Sequence, residues 1–292
     1  MGAGVDGDQG LAGALYRRPR AQLSLLLAGP VGWLVVAYLG SLAVLFVAAF
    51  WRLDEFSGLV VHDLSLDNFR TLAEGKVYRD IVFRTAGIAA AVTVTDALLA
   101  FPIAFFMAKV ASKRSRGLLV VAVLMPLWAS YLVKVYAWRV ILSEDGILNW
   151  ALGPLGIKGP GFGFVATWLV FSYLWLPYMI LPIYAGLERI PASMLDASGD
   201  LGGKPGTTFR RVVLPLAFPA VVAGSIFTFS LTLGDYIAPQ LVSSTQFIGN
   251  VVYTNVGVAN NLPLAAAFAT VPVMVMILYL LVARRLGAFE QL

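Results

Sequence analysis

Six long apolar stretches constrain this chain more than any other feature of its sequence. Each is long enough to cross a hydrocarbon core that takes about 20 apolar residues. The chain is 59% hydrophobic and only 13% charged, with a mean hydropathy of +0.82, which excludes a soluble domain. We therefore expect an all-α membrane protein with a bundle of six transmembrane helices. The stretches run approximately over Leu23–Phe50, Ile81–Ala108, Leu118–Leu142, Phe164–Leu187, Leu214–Ala238 and Leu262–Ala283.

The distribution of basic residues predicts the orientation of the chain. Most of its 21 Lys and Arg residues lie near the termini or in the second and fourth connections, KVASKRSRG and the stretch from Glu188 to Arg211. The first connection on the opposite side carries acidic residues that offset its basic ones. Because an excess of positive charge stays in the cytoplasm, both termini and these two connections are expected there. The net charge of +5 therefore reflects topology and does not indicate nucleic-acid binding.

The chain divides into one transmembrane domain, residues 21–285, and two short tails. Residues 1–20 are expected to form a disordered cytoplasmic tail, and residues 286–292 a second cytoplasmic tail. The start of the chain does not match a signal peptide, because the apolar run that follows is longer than the apolar region of a signal peptide, which has about 7–15 residues. Proline occurs in all six apolar stretches, which favours a transporter bundle over a set of rigid anchors.

Several kinds of chemistry are excluded by composition and motif. The chain has no cysteine and a single histidine, His62, so thiolate chemistry and a multi-histidine metal site are excluded. It lacks a Walker A loop, since neither Gly75-Lys76 nor Gly203-Lys204 is followed by Ser or Thr. It also lacks HExxH, GxSxG and an evident acid–base pair. We therefore expect no catalytic residue, no metal and no bound cofactor, and energy supplied by a partner.

A charged, glycine-rich patch interrupts the apolar sequence in the fourth connection. It reads MLDASGDLGGKPGTTFRRVVLPL from Met194. Its first part suits a short helix, and its glycines permit a sharp reversal at low steric cost. The patch therefore predicts a helix–glycine–helix unit on the cytoplasmic side, which serves either as a docking surface or as an ordinary structured loop.

The spacing within this patch resembles the EAA signature of permease subunits of bacterial ABC importers. That signature has Glu-Ala-Ala, three residues, Gly, nine residues, then an aliphatic residue, any residue, Leu and Pro. Both gaps have the family lengths, and the two departures, Asp for Glu and Ser for Ala, are conservative. The resemblance implies that the segment at about 188–211 forms coupling helices that dock on a cytoplasmic ATPase. The matching residues are Asp196, Ala197, Ser198, Gly202, Val212, Leu214 and Pro215.

Two further stretches resemble the spermidine/putrescine branch of these importers, in particular the first of its two permease subunits. They are MPLWASYLVKVYAWRVILSEDGILNWALGPLGI from Met125, and LGDYIAPQLV with the later NNLPLAAAF. The resemblance covers about residues 20–285. It implies the type I importer fold in a bacterial inner membrane and uptake of a small solute such as a polyamine. The alternative cargoes are an amino-acid derivative, an opine, a sugar or a metal chelate.

The same resemblance implies the partners of the chain. These are a second homologous permease, a dimer of cytoplasmic ABC ATPases that use ATP and Mg²⁺, and an extracytoplasmic solute-binding protein that docks on the long outer loops. The chain itself would contact the lipid bilayer and no nucleic acid. An ion channel or secondary transporter, and a membrane enzyme or scaffold, are the other classes. Neither of these classes needs the coupling signature.

Ionisable residues within the apolar stretches are candidates for the transport pathway, because charge is costly in a membrane. Asp235 with Tyr236 would suit a polyamine through charge pairing and cation–π attraction, or Asp235 would cap a helix or pair with Lys134 or Arg139. Asp96 is either a deeper acidic step or an internal hydrogen bonder. The two cations either snorkel to the headgroups or face the pathway. The candidate pathway residues are Asp235, Tyr236, Asp96, Tyr136 and Trp138.

Overall fold

The structure of the chain, a computed structural model, describes residues 19–54 and 56–285. The tails predicted at either end fall largely on residues 1–18 and 286–292, which lie outside the described residues. Helix α1 begins at Pro19, within the tail expected at 1–20. The final described helix runs to Arg285, where the predicted transmembrane domain ends.

The chain is built almost entirely of helices, which confirms the expected all-α class. The first span and the first connection comprise α1 (Pro19–Trp33), a π-helical stretch (Leu34–Leu39), α2 (Gly40–Ala48), β1 (Arg52–Leu53), β2 (Val60–Val61) and α3 (Asp67–Glu74). The next elements are α4 (Lys76–Phe105), which continues as the π-helical Phe106–Val110, then α5 (Lys113–Trp128), α6 (Tyr131–Leu142), α7 (Ile147–Leu152) with a 3-10 turn (Gly153–Leu155), and α8 (Phe164–Glu188). The remaining elements are α9 (Ala192–Asp200), α10 (Pro205–Thr208) with the π-helical Phe209–Val213, α11 (Leu214–Gly234), α12 (Ile237–Val242), α13 (Ile248–Gly257) and α14 (Leu262–Arg285).

Among residues 19–54 and 56–285, five helical runs are long and apolar enough to cross a membrane, and there are six spans if the bent pair Lys113–Trp128 and Tyr131–Leu155 counts as one. The third stretch, expected as one helix over Leu118–Leu142, is broken at Ala129 and Ser130, and its two parts meet at 90°. Both residues have extended backbone, with ψ of 141° and 135°. Hydropathy reports only the transfer of side chains into lipid, so it does not reveal a change in chain direction. The fifth span also differs, since it runs continuously over Pro205–Gly234 and ends before Asp235.

The core forms where α4, α8 and α11 pack against one another, and α8 lies at its centre. More than half of the apolar stretch of α8 is buried within the protein. The close approach of α8 and α11 depends on Gly224, since a Cβ atom there would lie 2.8 Å from Met179 Sδ and 3.1 Å from Met179 O. This three-helix core connects the elements of the fourth connection with the opposite ends of the spans, and the candidate functional residues lie at these two ends and within the core.

Candidate functional site

The predicted coupling segment, here residues 188–211, has the helix, turn and second helix that the sequence predicts. Pro191 precedes α9 with an extended ψ of 143° and so starts the helix. At the other end, Gly202 adopts a positive φ of 77°, a conformation that a residue with a Cβ atom adopts only at a steric cost. The amide of Gly202 bonds to Gly199 O at 2.8 Å, and that of Gly203 to Ser198 O at 2.8 Å. These bonds close the end of α9 and direct the chain into α10.

A tight contact across the turn fixes the second helix to the first. The hydroxyl oxygens of Ser198 and Thr208 lie 2.8 Å apart. Gly203 makes room for this contact, because a Cβ atom there would lie 2.6 Å from Ser198 O and 2.7 Å from Ser198 Oγ. The small residue at the third position of the signature therefore has a structural role, since its hydroxyl joins the two limbs of the segment.

The segment has an anchored side and an exposed side. Leu195 and Phe209 pack on the buried cluster that contains Val213. Asp196 and Ala197 are exposed, and Leu201 is 90% exposed. The other signature residues do not join this knob: Val212 is half-buried, and Leu214 and Pro215 are exposed at the start of α11. The exposed side thus presents an acidic residue beside apolar ones, a composition that suits protein contact.

Sequence reasoning missed the residues that hold this segment to the second connection. Arg116, at the start of α5, forms an ion pair with Glu188 at 3.2 Å. Its guanidinium also donates to the carbonyl oxygens of Met107 and Ala108, both at 3.1 Å. Lys109 Nζ donates to Ile190 O at 2.6 Å. In the sequence, the basic residues of KVASKRSRG indicate only the orientation of the chain, and nothing in their spacing indicates these partners.

At the other ends of the spans, two helix breaks meet at one contact. The hydroxyl of Tyr131, which follows the break between α5 and α6, donates a hydrogen bond to Asp235 Oδ2. Asp235 follows the end of α11, and its Oδ1 accepts a bond of 3.0 Å from Ala238 N in α12. Asp235 therefore caps α12, one of the alternatives that the sequence left open. Among the described residues, neither Lys134 nor Arg139 forms an ion pair with it.

Two stacked pairs of aromatic rings adjoin this contact, one through Tyr131 and one through Tyr236. We call the group the outer cluster, and its members are Tyr131, Trp175, Asp235, Tyr236 and Tyr253. The rings of Tyr131 and Trp175 are stacked with centroids 6.1 Å apart. Those of Tyr236 and Tyr253 are stacked at 4.7 Å. The cluster thus combines one carboxylate with four aromatic rings at the break between helices α11 and α12. Interrupted helices at membrane depth occur where the backbone is buried in protein or lines a cavity.

The other candidates on α6 do not join the outer cluster. Tyr136 is 53% exposed, and Trp138 packs on Tyr173 with ring centroids 5.5 Å apart. Arg139 lies over the ring of Phe162 at 5.8 Å, a cation–π contact. Lys134 is half-buried on the same helix. The structure therefore places Arg139 against an aromatic ring, and among the described residues neither cation forms an ion pair with Asp235.

Asp96 lies in a separate, buried polar layer. It is 0% exposed, and neither carboxyl oxygen has a hydrogen-bond partner. Ser172 on α8 is its polar neighbour. The hydroxyls of Ser172 and Thr228 and the indole nitrogen of Trp175 are likewise buried without a partner. These residues lie on α4, α8 and α11, the three helices of the core. Asp96 is therefore enclosed in this structure, without the hydrogen bonds expected of an internal hydrogen bonder.

Comparison with known proteins gives consistent relatives. The family model described as binding-protein-dependent transport system inner membrane component matches residues 98–289. The inner membrane ABC transporter permease protein YdcU of Escherichia coli strain K12 is 46% identical over 298 aligned positions, which cover 97% of this chain and 95% of that protein. The spermidine/putrescine transport system permease protein PotB of the same strain is 29% identical, over 86% of this chain and 93% of that protein.

Solved structures share the fold. A chain of a bacterial alginate ABC transporter, crystallised in complex with an alginate pentasaccharide-bound periplasmic protein, superposes with a TM-score of 0.72. It is 15% identical in sequence, and the match covers 94% of this chain and 96% of that chain. A chain of the MetNI methionine ABC transporter in an inward-facing conformation gives a TM-score of 0.57 over 73% of this chain and 96% of that chain. The expected importer permease fold is confirmed.

Proposed function

This chain belongs to the family of binding-protein-dependent transport system inner membrane components and is a permease subunit of an ABC importer, and from this premise we propose that its cargo is a polyamine such as putrescine or spermidine. It is a multi-pass protein of the inner membrane, and it acts as a transport subunit and not as an ATPase. The other cargoes left open by the sequence, such as an amino-acid derivative, an opine, a sugar or a metal chelate, are outcomes of the test below.

The outer cluster is the observation that carries the polyamine proposal. A polyamine is a flexible polycation, and a carboxylate with aromatic faces attracts ammonium groups by charge and by cation–π interaction. Asp235 is the acidic member of the cluster, and it stands at the end of an interrupted span beside Tyr236. Tyr136 and Trp138 lie on α6 outside the cluster. The relatives named as spermidine/putrescine permeases support the same cargo at 29% identity.

In this proposal the coupling segment transmits the closure of a cytoplasmic ATPase dimer to the membrane helices. The exposed side of the segment, with Asp196 and Ala197 on α9 and Leu201 directly after it, supports docking there. The second helix of the segment, α10, continues directly into α11, because Pro205–Gly234 is one helical run. This continuity supports transmission of a movement from the segment to the membrane helices. ATP and Mg²⁺ are bound by the ATPase, and this chain binds no cofactor. The basic residues of these connections support a cytoplasmic location for the segment and both termini.

A second, homologous permease completes the membrane part in this proposal. The first helical run, Gln22–Ala48, supports such a partner because only 6% of its apolar stretch is buried against the rest of the chain. Its faces are thus available to lipid and to another subunit. On the opposite side of the membrane, a solute-binding protein would deliver the cargo to the outer loops.

The test is a mild-detergent pull-down of the chain from its native membrane, followed by mass spectrometry and then by identification of the ligand held by the binding protein. We expect an ATPase, a second permease and a binding protein that carries putrescine or spermidine. A binding protein loaded with another solute would replace the polyamine proposal with that cargo. A chain that stays alone after cross-linking, or that transports after residues 196–202 are scrambled, would indicate an ATP-independent transporter.

A further inference from the structure

The two connections on the coupling side are joined by a polar clamp, which comprises Arg116, Glu188 and Lys109. The guanidinium of Arg116 uses three of its nitrogens: Nε and Nη2 donate to the carbonyl oxygens of Met107 and Ala108, and Nη1 contacts Glu188 Oε1 at 3.2 Å. The carbonyl groups near a helix end lack intrahelical partners and carry partial negative charge. Arg116 therefore binds the end of the α4 run and the end of α8 simultaneously.

The clamp reaches the chain on both sides of Arg189, directly before the coupling helix. Glu188 is the last residue of α8, and its Oε1 also accepts a bond from the hydroxyl of Tyr184 at 3.2 Å. Lys109 donates to Ile190 O at 2.6 Å, and Ile190 is buried. Helix α9 begins at Ala192. The limb that enters the coupling helix is thus tied to the α4–α5 turn by two cationic side chains.

Helix α4 also contacts the limb that leaves the coupling helix. The ring of Phe209 packs edge-on against those of Phe101 and Phe105, with centroids 5.5 and 6.1 Å apart. The coupling segment is covalently continuous with α8 and α11 but not with α4. The polar clamp and the Phe209 contact therefore link the segment directly to α4, in addition to the packing of α4 along α8 and α11 in the core.

We propose that Arg116 is a positioning residue for energy coupling, which makes α4 move with α8 and the coupling segment when the ATPases close. This inference rests on the proposed function, since it requires an ATPase docked on the segment. Coupling between distant sites is carried by rigid elements and by the polar networks that join them. A guanidinium stays charged and holds planar, two-pronged bonds, so it suits a joint that must transmit force without loosening.

The exposure of the clamp separates this role from a contribution to folding. The side chains of Arg116 and Glu188 are 31% and 48% exposed. Ion pairs that are open to solvent contribute little to the stability of a fold. A variant that breaks the pair should therefore still assemble, while its effect on coupling becomes measurable.

The experiment uses the complete complex in proteoliposomes, with the binding protein saturated with putrescine. Its readouts are complex assembly, basal ATP hydrolysis, the stimulation of hydrolysis by the loaded binding protein, and putrescine transported per ATP. The variants are Arg116→Gln, Arg116→Lys, Glu188→Gln and the double variant Arg116→Gln/Glu188→Gln. The matched control is Arg114→Gln, which removes the same charge from an exposed side chain in the first turn of α5.

We expect Arg116→Gln and Glu188→Gln to assemble normally and to lower stimulation and transport per ATP by at least about fivefold, the scale of a modest allosteric coupling. Arg116→Lys should recover part of the loss, and the double variant should match Arg116→Gln within about twofold because the two residues act as one unit. Arg114→Gln should behave like the unaltered complex.

Two results would overturn the inference. The first is unchanged stimulation in both single variants. The second is failed assembly of Arg116→Gln together with normal coupling in Glu188→Gln. Since Glu188→Gln keeps the bonds from Arg116 to Met107 and Ala108, this pair of results would show that Arg116 acts only as a helix cap. A lack of stimulation in the unaltered complex is a different failure, because it overturns the polyamine proposal and not the docking of an ATPase on the segment; the same variants are then compared with the binding protein loaded with the solute that it carries.

Discussion

The Tyr131 hydroxyl donates a hydrogen bond to the Asp235 carboxylate, and this contact joins the break in the third span to the end of the fifth. The two residues are 104 positions apart in sequence. Asp235 also caps α12 through Ala238 N. The carboxylate thus holds the geometry of both interruptions and supplies the acidic group of the outer cluster. Its structural role and its proposed role in cargo recognition can be separated by substitution.

The first prediction concerns the charge of Asp235. Asp235→Asn keeps an oxygen that can accept a bond from Tyr131 or from Ala238 N, but it removes the negative charge. Putrescine uptake should fall at least about tenfold, which corresponds to ~1.4 kcal/mol, while assembly remains normal. Uptake of labelled putrescine and co-purification of the partners provide the measurements.

Tyr131→Phe serves as the control, because it removes the hydroxyl but keeps the carboxylate and the ring stacked on Trp175. Its effect on uptake should be smaller than that of Asp235→Asn. If Asp235→Asn abolishes assembly, the carboxylate is a helix cap alone and the pathway role is wrong.

A second prediction concerns Asp96, which is completely buried with both carboxyl oxygens unpaired. Taking an ionised carboxylate out of water is expensive, and an amide of the same shape avoids that penalty. Asp96→Asn should therefore lose no more than about 1 kcal/mol of unfolding free energy and should transport normally. Thermal unfolding of the purified complex and putrescine uptake are the two readouts. Normal stability with lost uptake would instead assign Asp96 to the pathway.

Gly203 provides a test of the tight turn in the coupling segment. A methyl group at this position would collide with Ser198 O, so Gly203→Ala should destabilise the turn by about 1–3 kcal/mol. Leu201, two residues earlier in the turn, is 90% exposed, and chymotrypsin cleavage after it should become faster. ATPase recovery in a pull-down should fall in parallel.

Gly206→Ala is the matched control for that substitution, because a Cβ atom at Gly206 meets nothing within 4 Å. It should be cleaved at the rate of the unaltered chain. Equal cleavage of both variants would show that the contact between Ser198 and Thr208 does not hold the turn.

The crossing of α8 and α11 gives a further prediction. Gly224→Ala places a methyl group within 3.2 Å of the Met179 backbone and side chain, so the helices must separate and the complex should lose about 1–3 kcal/mol of stability. Gly87→Ala, in a helix where the added methyl meets nothing within 4 Å, should be neutral or stabilising by about 0.5–1 kcal/mol. Thermal unfolding compares the two, and similar midpoints would contradict this account of the core.

The sequence by itself determined the elements whose cause is local. The length of each apolar stretch specified a membrane span, because the transfer of apolar side chains into lipid adds along a single helix. The glycine at 202 specified a reversal, because its positive φ is a property of that one residue. The spacing from Asp196 to Pro215 likewise indicated the family, and the comparisons confirm that assignment.

Only the tertiary structure decided the features that depend on partners distant in sequence. Hydropathy is continuous across Ala129 and Ser130, so the 90° bend there becomes visible only with the chain folded. Asp235 finds Tyr131, and Arg116 finds Glu188, because separate helices pack side by side, and no local pattern encodes which side chains then meet. The same packing removed Asp96 from any open surface. Span length and turn chemistry are properties of short segments, whereas a pathway and a coupling joint arise from the way in which those segments are brought together.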